Sequence, residues 1–349
     1  MIRGILSLTH SSRRTNPARC SVQFLTRRFG DPQRLRRLPP FESLPPPEPL
    51  YSGAVSFWRV ERGRFEPAGT VKDREKIQHA VVLEDGSRLV GFEQAVEHRG
   101  RRFEHPHLAG LHTVAPLPEG RILLSCSASD ALLVLDLASG KVERTLRMPS
   151  SLYGHNYDLT PEMDLRRHLI GDEQQTTHIN AAHPFDNGRR AVVSTLIQGA
   201  IGVFDLETGA YEEIARGFVG CHGARVNEEG RIYFADSTAG HLVFLDWDGR
   251  IERRFDVGSR WLHDVQQIEG PVYAFALADR NELAVWDIDK EALLFRKRFF
   301  TWPVEGLFSL AHRAPFWFGN SVQALSFSRR PAHQKIPATA STRPKTSAR

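Results

Sequence analysis

The stretch CHGARVNEEGRIYFADSTAGHLVFLDWDGRIERRFDV (221–257) decides the fold. It divides into four short runs, CHGARV, RIYFAD, HLVFLD and RIERRFDV, separated by NEEG, STAG and WDG. The runs are rich in β-branched and aromatic residues, and the separators are turn residues. Four short strands in fewer than 45 residues is the pattern of one propeller blade.

The same pattern recurs outward in both directions. VLDLASGK, VFDLETGA, FLDWDGRI and VWDIDKEA each end a strand on an aspartate, Asp136, Asp205, Asp246 and Asp287, followed by a tight turn. An aspartate there accepts hydrogen bonds from turn amides, so we read these four as structural. The last two intervals between them are 41 residues each. No long apolar period of 3.6 residues runs through the region, which counts against an α/β reading. First strands start near residues 79, 112, 178, 222, 263 and 307. The predicted fold is therefore an all-β, six-bladed β-propeller over 51–328. VSFWRV and RFEPAGTV near its start would complete the last blade, together with LFSLAHR, PFWFGN and VQALSFS, and so cover an open sheet edge. The interval from 112 to 178 is too long for one blade. Residues 151–176 are read as an insertion, with TPEMDLRR as its candidate helix, serving as a lid or partner surface.

The segments outside the propeller have a different composition. Residues 1–50 hold nine arginines and three acids, and residues 329–349 hold six basic residues and no acid. The net charge of +5 thus belongs to the ends, while the body is mildly acidic. A phosphate backbone requires a clustered positive face, so no nucleic-acid partner is expected. Both end segments are read as disordered, the first passing into the Pro-rich stretch 38–50. Its Arg- and Ser-rich start also fits an organelle transit peptide; otherwise a cytoplasmic location is expected. No apolar run is long enough to span a membrane. Cys20, Cys126 and Cys221 are odd in number and far apart, which suggests neither a disulfide framework nor a CxxC metal site.

The histidines carry the functional expectation. The first strands read QHAVVLEDG, LHTVAPLPEG, THINAAHPFDNG, CHGARVNEEG and LHDVQQIEG, and His79, His112, His178, His222 and His263 open them. First strands line the axis of a propeller, so these five rings should converge at one end of the channel. One histidine at such a place is a common loop cap; five are not readily explained that way. Neutral imidazole is the commonest metal ligand, and three or four suit Fe, Zn or Cu. Asn180 and Asp264 flank the ring and are candidate catalytic groups beside His178 and His222. Asp172, Glu173 and Glu93 could orient a ligating imidazole. His98, His105, His107, His155 and His168 are expected on loops. The leading expectation is a metal-dependent lyase, hydrolase or oxygenase acting on a small organic substrate.

THINAAHPFDNGRRAVVSTLIQGAIGVFDLETG (177–209) resembles the arylsulfotransferase-like propellers, with His178 and Asn180 matching their His-x-Asn. Other blades resemble the NHL-type propellers. The resemblance implies the six-bladed fold and, as an alternative function, a metal-free transferase using a channel histidine. The arginine those enzymes carry in the next strand is replaced here by Leu196. Carotenoid-oxygenase-type and amidating-lyase-type propellers hold a metal on axial histidines, an analogy of arrangement only. The remaining alternative is a non-catalytic interaction propeller.

Overall fold

The computed structural model describes residues 3–13, 51–73, 75–166, 175–299 and 321–329. Strands β1 (Arg3–Arg13), β2 (Tyr51–Glu61) and β3 (Arg64–Asp73) form the outer part of blade 6. Blade 1 comprises β4 (Ile77–Val82), β5 (Arg88–Phe92), β6 (Val96–His98) and β7 (Arg101–Phe103). Blade 2 comprises β8 (Leu111–Pro116), β9 (Arg121–Cys126), β10 (Ala131–Asp136) and β11 (Val142–Arg147). Blade 3 comprises β12 (Ile179–Phe185), β13 (Arg190–Thr195), β14 (Ala200–Asp205) and β15 (Tyr211–Arg216). Blade 4 comprises β16 (Cys221–Val226), β17 (Ile232–Asp236), β18 (His241–Leu245) and β19 (Ile251–Asp256). Blade 5 comprises β20 (Leu262–Glu269), β21 (Val272–Leu277), β22 (Glu282–Asp287) and β23 (Ala292–Arg298). The last strand, β24 (Ser321–Arg329), pairs with β1 and is the innermost strand of blade 6. Six four-stranded antiparallel sheets thus make the six-bladed propeller.

The four repeat aspartates hold turns as their sequence context requires. Asp205 Oδ1 accepts the amides of Glu207 and Thr208 at 3.0 and 2.7 Å, and Asp246 Oδ1 those of Asp248 and Arg250 at 3.0 and 2.8 Å. Asp136 accepts from Ser139, and Asp287 from Asp289 and Lys290. Apolar clusters then fill the wedge between each pair of neighbouring blades. Phe244 and Phe255 of blade 4 pack against Tyr273 and Phe275 of blade 5, for example.

The closing blade corrects two expectations. Arg3–Arg13 falls in the basic segment read as disordered, yet it is the second strand of blade 6. The apolar residues hidden in its Arg- and Ser-rich composition explain this. Leu6 and Leu8 fill the wedge toward blade 5, while Ile5 faces the wedge toward blade 1. The alternation of a strand sends neighbours to opposite faces, so one segment serves both cores. Between them, Ser7 and Thr9 hydroxyls donate to the carbonyls of Ala80 and Gln78. Secondly, the innermost strand of this blade is Ser321–Arg329 and does not start near 307; LFSLAHR and PFWFGN lie outside the described residues. VSFWRV and RFEPAGTV do complete the blade, as β2 and β3.

The long connection between blades 2 and 3 also differs from its reading. Residues 160–166 make turns, and the α-helix among the described residues, α1, is the single turn Ser150–Tyr153 upstream. Tyr157 and Leu165 are buried in a small core with Ala109 and Ala128, which fixes the connection over blades 1 and 2. Among the described residues, no helix is long and apolar enough to cross a membrane.

Candidate functional site at the channel mouth

Each inner strand carries a β-bulge close to its first residue. Pairing is regular on either side of a shift between Ile77 and His79, Leu111 and Thr113, Ile179 and Ala181, His222 and Arg225, and Leu262 and Asp264. In blade 6 the shift against β1 falls between Val322 and Leu325. Such a bulge bends the strand and re-aims the side chain it carries. These bulges all lie close to one end of the inner strands, where the residue after the first paired one in each of blades 1 to 5 forms a collar at the end of the channel. The shifts skip Gln78, His112, Asn180 and His263; His222 holds the matching place in blade 4 but pairs with Ala235, the shift there falling at Gly223–Ala224, and in blade 6 it falls at 323–324.

This register sorts the five expected histidines. His112, His222 and His263 are structurally equivalent. His178 lies just ahead of its strand, in a left-handed backbone conformation with φ 51°, and reaches the same place from there. Its ring centroid is 4.9 Å from that of His112. The rings of His222 and His263 are 4.7 Å apart, and Trp261 stands 5.8 Å from His222. The two pairs also interact: His178 and His263 both act electrostatically on His222, and His222 and His263 act on His112. His178 and His222 are buried, while His112 and His263 are partly exposed.

His79 does not join them. It lies one residue past the collar, and both ring nitrogens are engaged by backbone of other blades. Nε2 donates to the Leu325 carbonyl at 3.1 Å, and Nδ1 accepts the Val114 amide at 3.2 Å. A ring held on both nitrogens has no lone pair to offer an ion. Counting residues from histidine to the turn glycine misplaced it, because the turns of the blades differ in length.

The two flanking groups are also engaged. Asn180 Nδ2 donates to the Cys221 carbonyl at 2.8 Å, and its Oδ1 accepts from Ser194 Oγ at 2.7 Å. Asp264 forms a buried ion pair with Arg225, an arginine the sequence reading passed over, with Nη1 2.7 Å from Oδ1. Arg225 also donates to the carbonyls of Gly223, Val265 and Leu325, while Asp264 accepts the amide of Leu325 at 2.8 Å. Gly223 is required beside them. Its φ is +63°, and a Cβ there would sit 2.0 Å from Asp264 Oδ1. His183, also missed, has its ring 6.3 Å from His79. Cys221 faces away from the channel into the wedge between blades 3 and 4, as strand alternation requires. Asp172 and Glu173 lie outside the described residues.

Asp130 fixes His178. This fully buried carboxylate accepts the amides of Thr176, Thr177 and His178 at 2.7–2.9 Å, and the Thr177 hydroxyl at 2.6 Å. His222 is fixed through Nδ1, which is 2.8 Å from both the Gly220 carbonyl and Ser237 Oγ.

Burial pushes His112 and His222 well below the usual imidazole range, reinforced by His178 at the first and by His263 at the second. Burial also lowers His79 and His183, with Arg225 adding to both. Unfolding returns these rings to about 6.5, so the unfolded chain binds more protons than the native one below that pH. Their contribution to stability is complete above pH 6.5 and is lost as pH falls toward the native values. Thermal melts should show Tm dropping from pH 7.5 to pH 5.5; a flat or rising Tm would contradict this burial.

Among the described residues, no group of three or more His, Cys, Asp or Glu side chains is arranged to hold a metal ion. No family model and no curated protein matches the chain. Among solved structures, a chain of the nidogen/laminin complex aligns with a TM-score of 0.56 at 10% identity, covering 78% of this chain and 94% of that one. A streptogramin B lyase aligns at 0.48 and 12% identity, covering 70% and 76%. Virginiamycin B lyase from Staphylococcus aureus aligns at 0.48 and 11%, covering 71% and 80%. At such identities the likeness is one of fold, and the chain is a six-bladed β-propeller.

Proposed function

We propose that the channel mouth is the active site of an enzyme acting on a small organic substrate, with His112, His178, His222 and His263 as its working groups. The observation that carries this is the pairing of four imidazoles from four successive blades, at 4.9 and 4.7 Å. Clustered imidazoles contribute little to a core, since their nitrogens demand partners. Held neutral, His112 and His222 keep a lone pair at physiological pH. One neutral imidazole can then take a proton from the substrate, and the imidazolium so formed can return that proton to the leaving group, directly or through its paired ring. Hydrolysis and elimination both fit that chemistry.

The same lone pairs could ligate Zn, Fe or Cu. The rings stand as two close pairs, an arrangement suited to passing a proton, and we assign proton transfer to the imidazoles themselves. Screening the full chain against small esters, lactones and eliminable substrates, with elemental analysis of the same preparation, tests both parts. His112→Ala and His222→Ala should each lower kcat about 10²–10⁴-fold on any genuine substrate. Activity that survives both changes together would remove the site. One transition metal per chain, lost with activity on chelation, would replace proton transfer by metal catalysis.

A further inference from the structure

From the chemistry of the collar and its rim, we infer that the mouth selects an uncharged, ring-bearing molecule with one hydrogen-bonding group. This rests on the mouth being the active site. The five described collar positions, Gln78, His112, Asn180, His222 and His263, carry an amide or an imidazole, and none carries a carboxylate or a guanidinium. Such groups pair well with a hydroxyl, carbonyl or amide, and they offer no full charge to replace the hydration an ion would lose. The formal charges nearest along the inner strands, Arg225 and Asp264, neutralise each other at 2.7 Å. Lys76, on the connection into blade 1, adds one positive charge that acts on His112.

The rim supplies the apolar part. The turn after β13 is bonded to the residues that present His178: Leu196 donates to the His178 carbonyl at 3.0 Å, and Ile197 to that of Thr177 at 3.2 Å. Ile197 is 46% exposed. On the β15–β16 connection Val219 is 60% exposed, three residues before His222, and its backbone is held by Asp236 and Thr238. Trp261 closes the same arc beside His222. Single exposed apolar side chains are ordinary, but two on hydrogen-bonded backbone and an indole, on the β13–β14, β15–β16 and β19–β20 connections beside one polar collar, form an amphipathic site.

Three probes of one shape separate the possibilities: 2-naphthamide, 2-naphthoate and 2-naphthylmethylammonium, titrated calorimetrically into the full chain. The amide should bind tightest and the ammonium at least about tenfold more weakly, a difference of about 1.4 kcal/mol. Naphthoate should fall between them, helped by Lys76. Val219→Asp, at an exposed position, should weaken the amide about fivefold or more with the melt unchanged. His222→Ala should weaken all three. An ion binding more tightly than the amide, but still losing affinity in His222→Ala, overturns the substrate class and leaves the site standing. Binding that ignores both His112→Ala and His222→Ala overturns the site and the proposed function with it. Absence of saturable binding by any probe overturns the inference alone, provided the histidine variants still abolish turnover.

Discussion

Arg225→Met is expected to destabilise the protein by about 3–5 kcal/mol, the usual cost of leaving one member of a buried ion pair without its partner. Arg225 and Asp264 are each 6% exposed at the side chain, so water cannot replace the lost guanidinium. The damage should be localised. Arg225 lies on β16, Asp264 on β20, and both bind the backbone of Leu325 on β24. His79 of β4 is also in contact with the Leu325 carbonyl. One residue of the last strand is therefore held by side chains from blades 1, 4 and 5. Loss of the arginine should loosen β24, and hydrogen exchange should accelerate at Ala324–Ser326 before it does at β8–β11. The double change Arg225→Met with Asp264→Leu should recover part of the loss, because it leaves no charge without a partner. A double variant no better than the single one would show that the ion pair is not what closes the ring.

The blades were legible because each contains its own evidence. An aspartate turn, two β-branched runs and a glycine turn lie within about 40 residues, and local periodicity is what a sequence displays most directly. The N-terminal strand was not legible, because its partners lie beyond residue 50 and at the other end of the chain, and its arginines dominate its composition. The histidines were legible as a set but not one by one. A collar position is defined by register against the neighbouring strand, and a slip of one residue carried His79 past it into backbone contacts. His178 was found although Asn180 holds the equivalent position in that blade. Arg225, Lys76 and Trp261 gave no signal, since nothing near Arg225 announces a carboxylate 39 residues later.

Asp130 belongs with these silent residues, and Asp130→Ala should be the second severe change. The carboxylate satisfies three amides and one hydroxyl in a place without access to water. Each buried donor left without an acceptor costs about 1–3 kcal/mol, so even partial relaxation leaves a loss of roughly 3 kcal/mol or more. The functional consequence reaches further than the stability. His178 is a non-glycine residue with positive φ, a conformation that persists only where its surroundings enforce it. Asp130 enforces it by grasping three consecutive amides, and that grip places the imidazole 4.9 Å from His112. Asp130→Asn keeps one acceptor oxygen and should retain most of the stability. It should still disturb the His112–His178 pair, which imidazole NMR would report as changed chemical shifts of both rings. If Asp130→Asn melts as the parent does and the signals of both rings are unchanged, the carboxylate is a cap for the loop alone. The positioning of His178 would then have to come from Thr177 and the turn at Leu196.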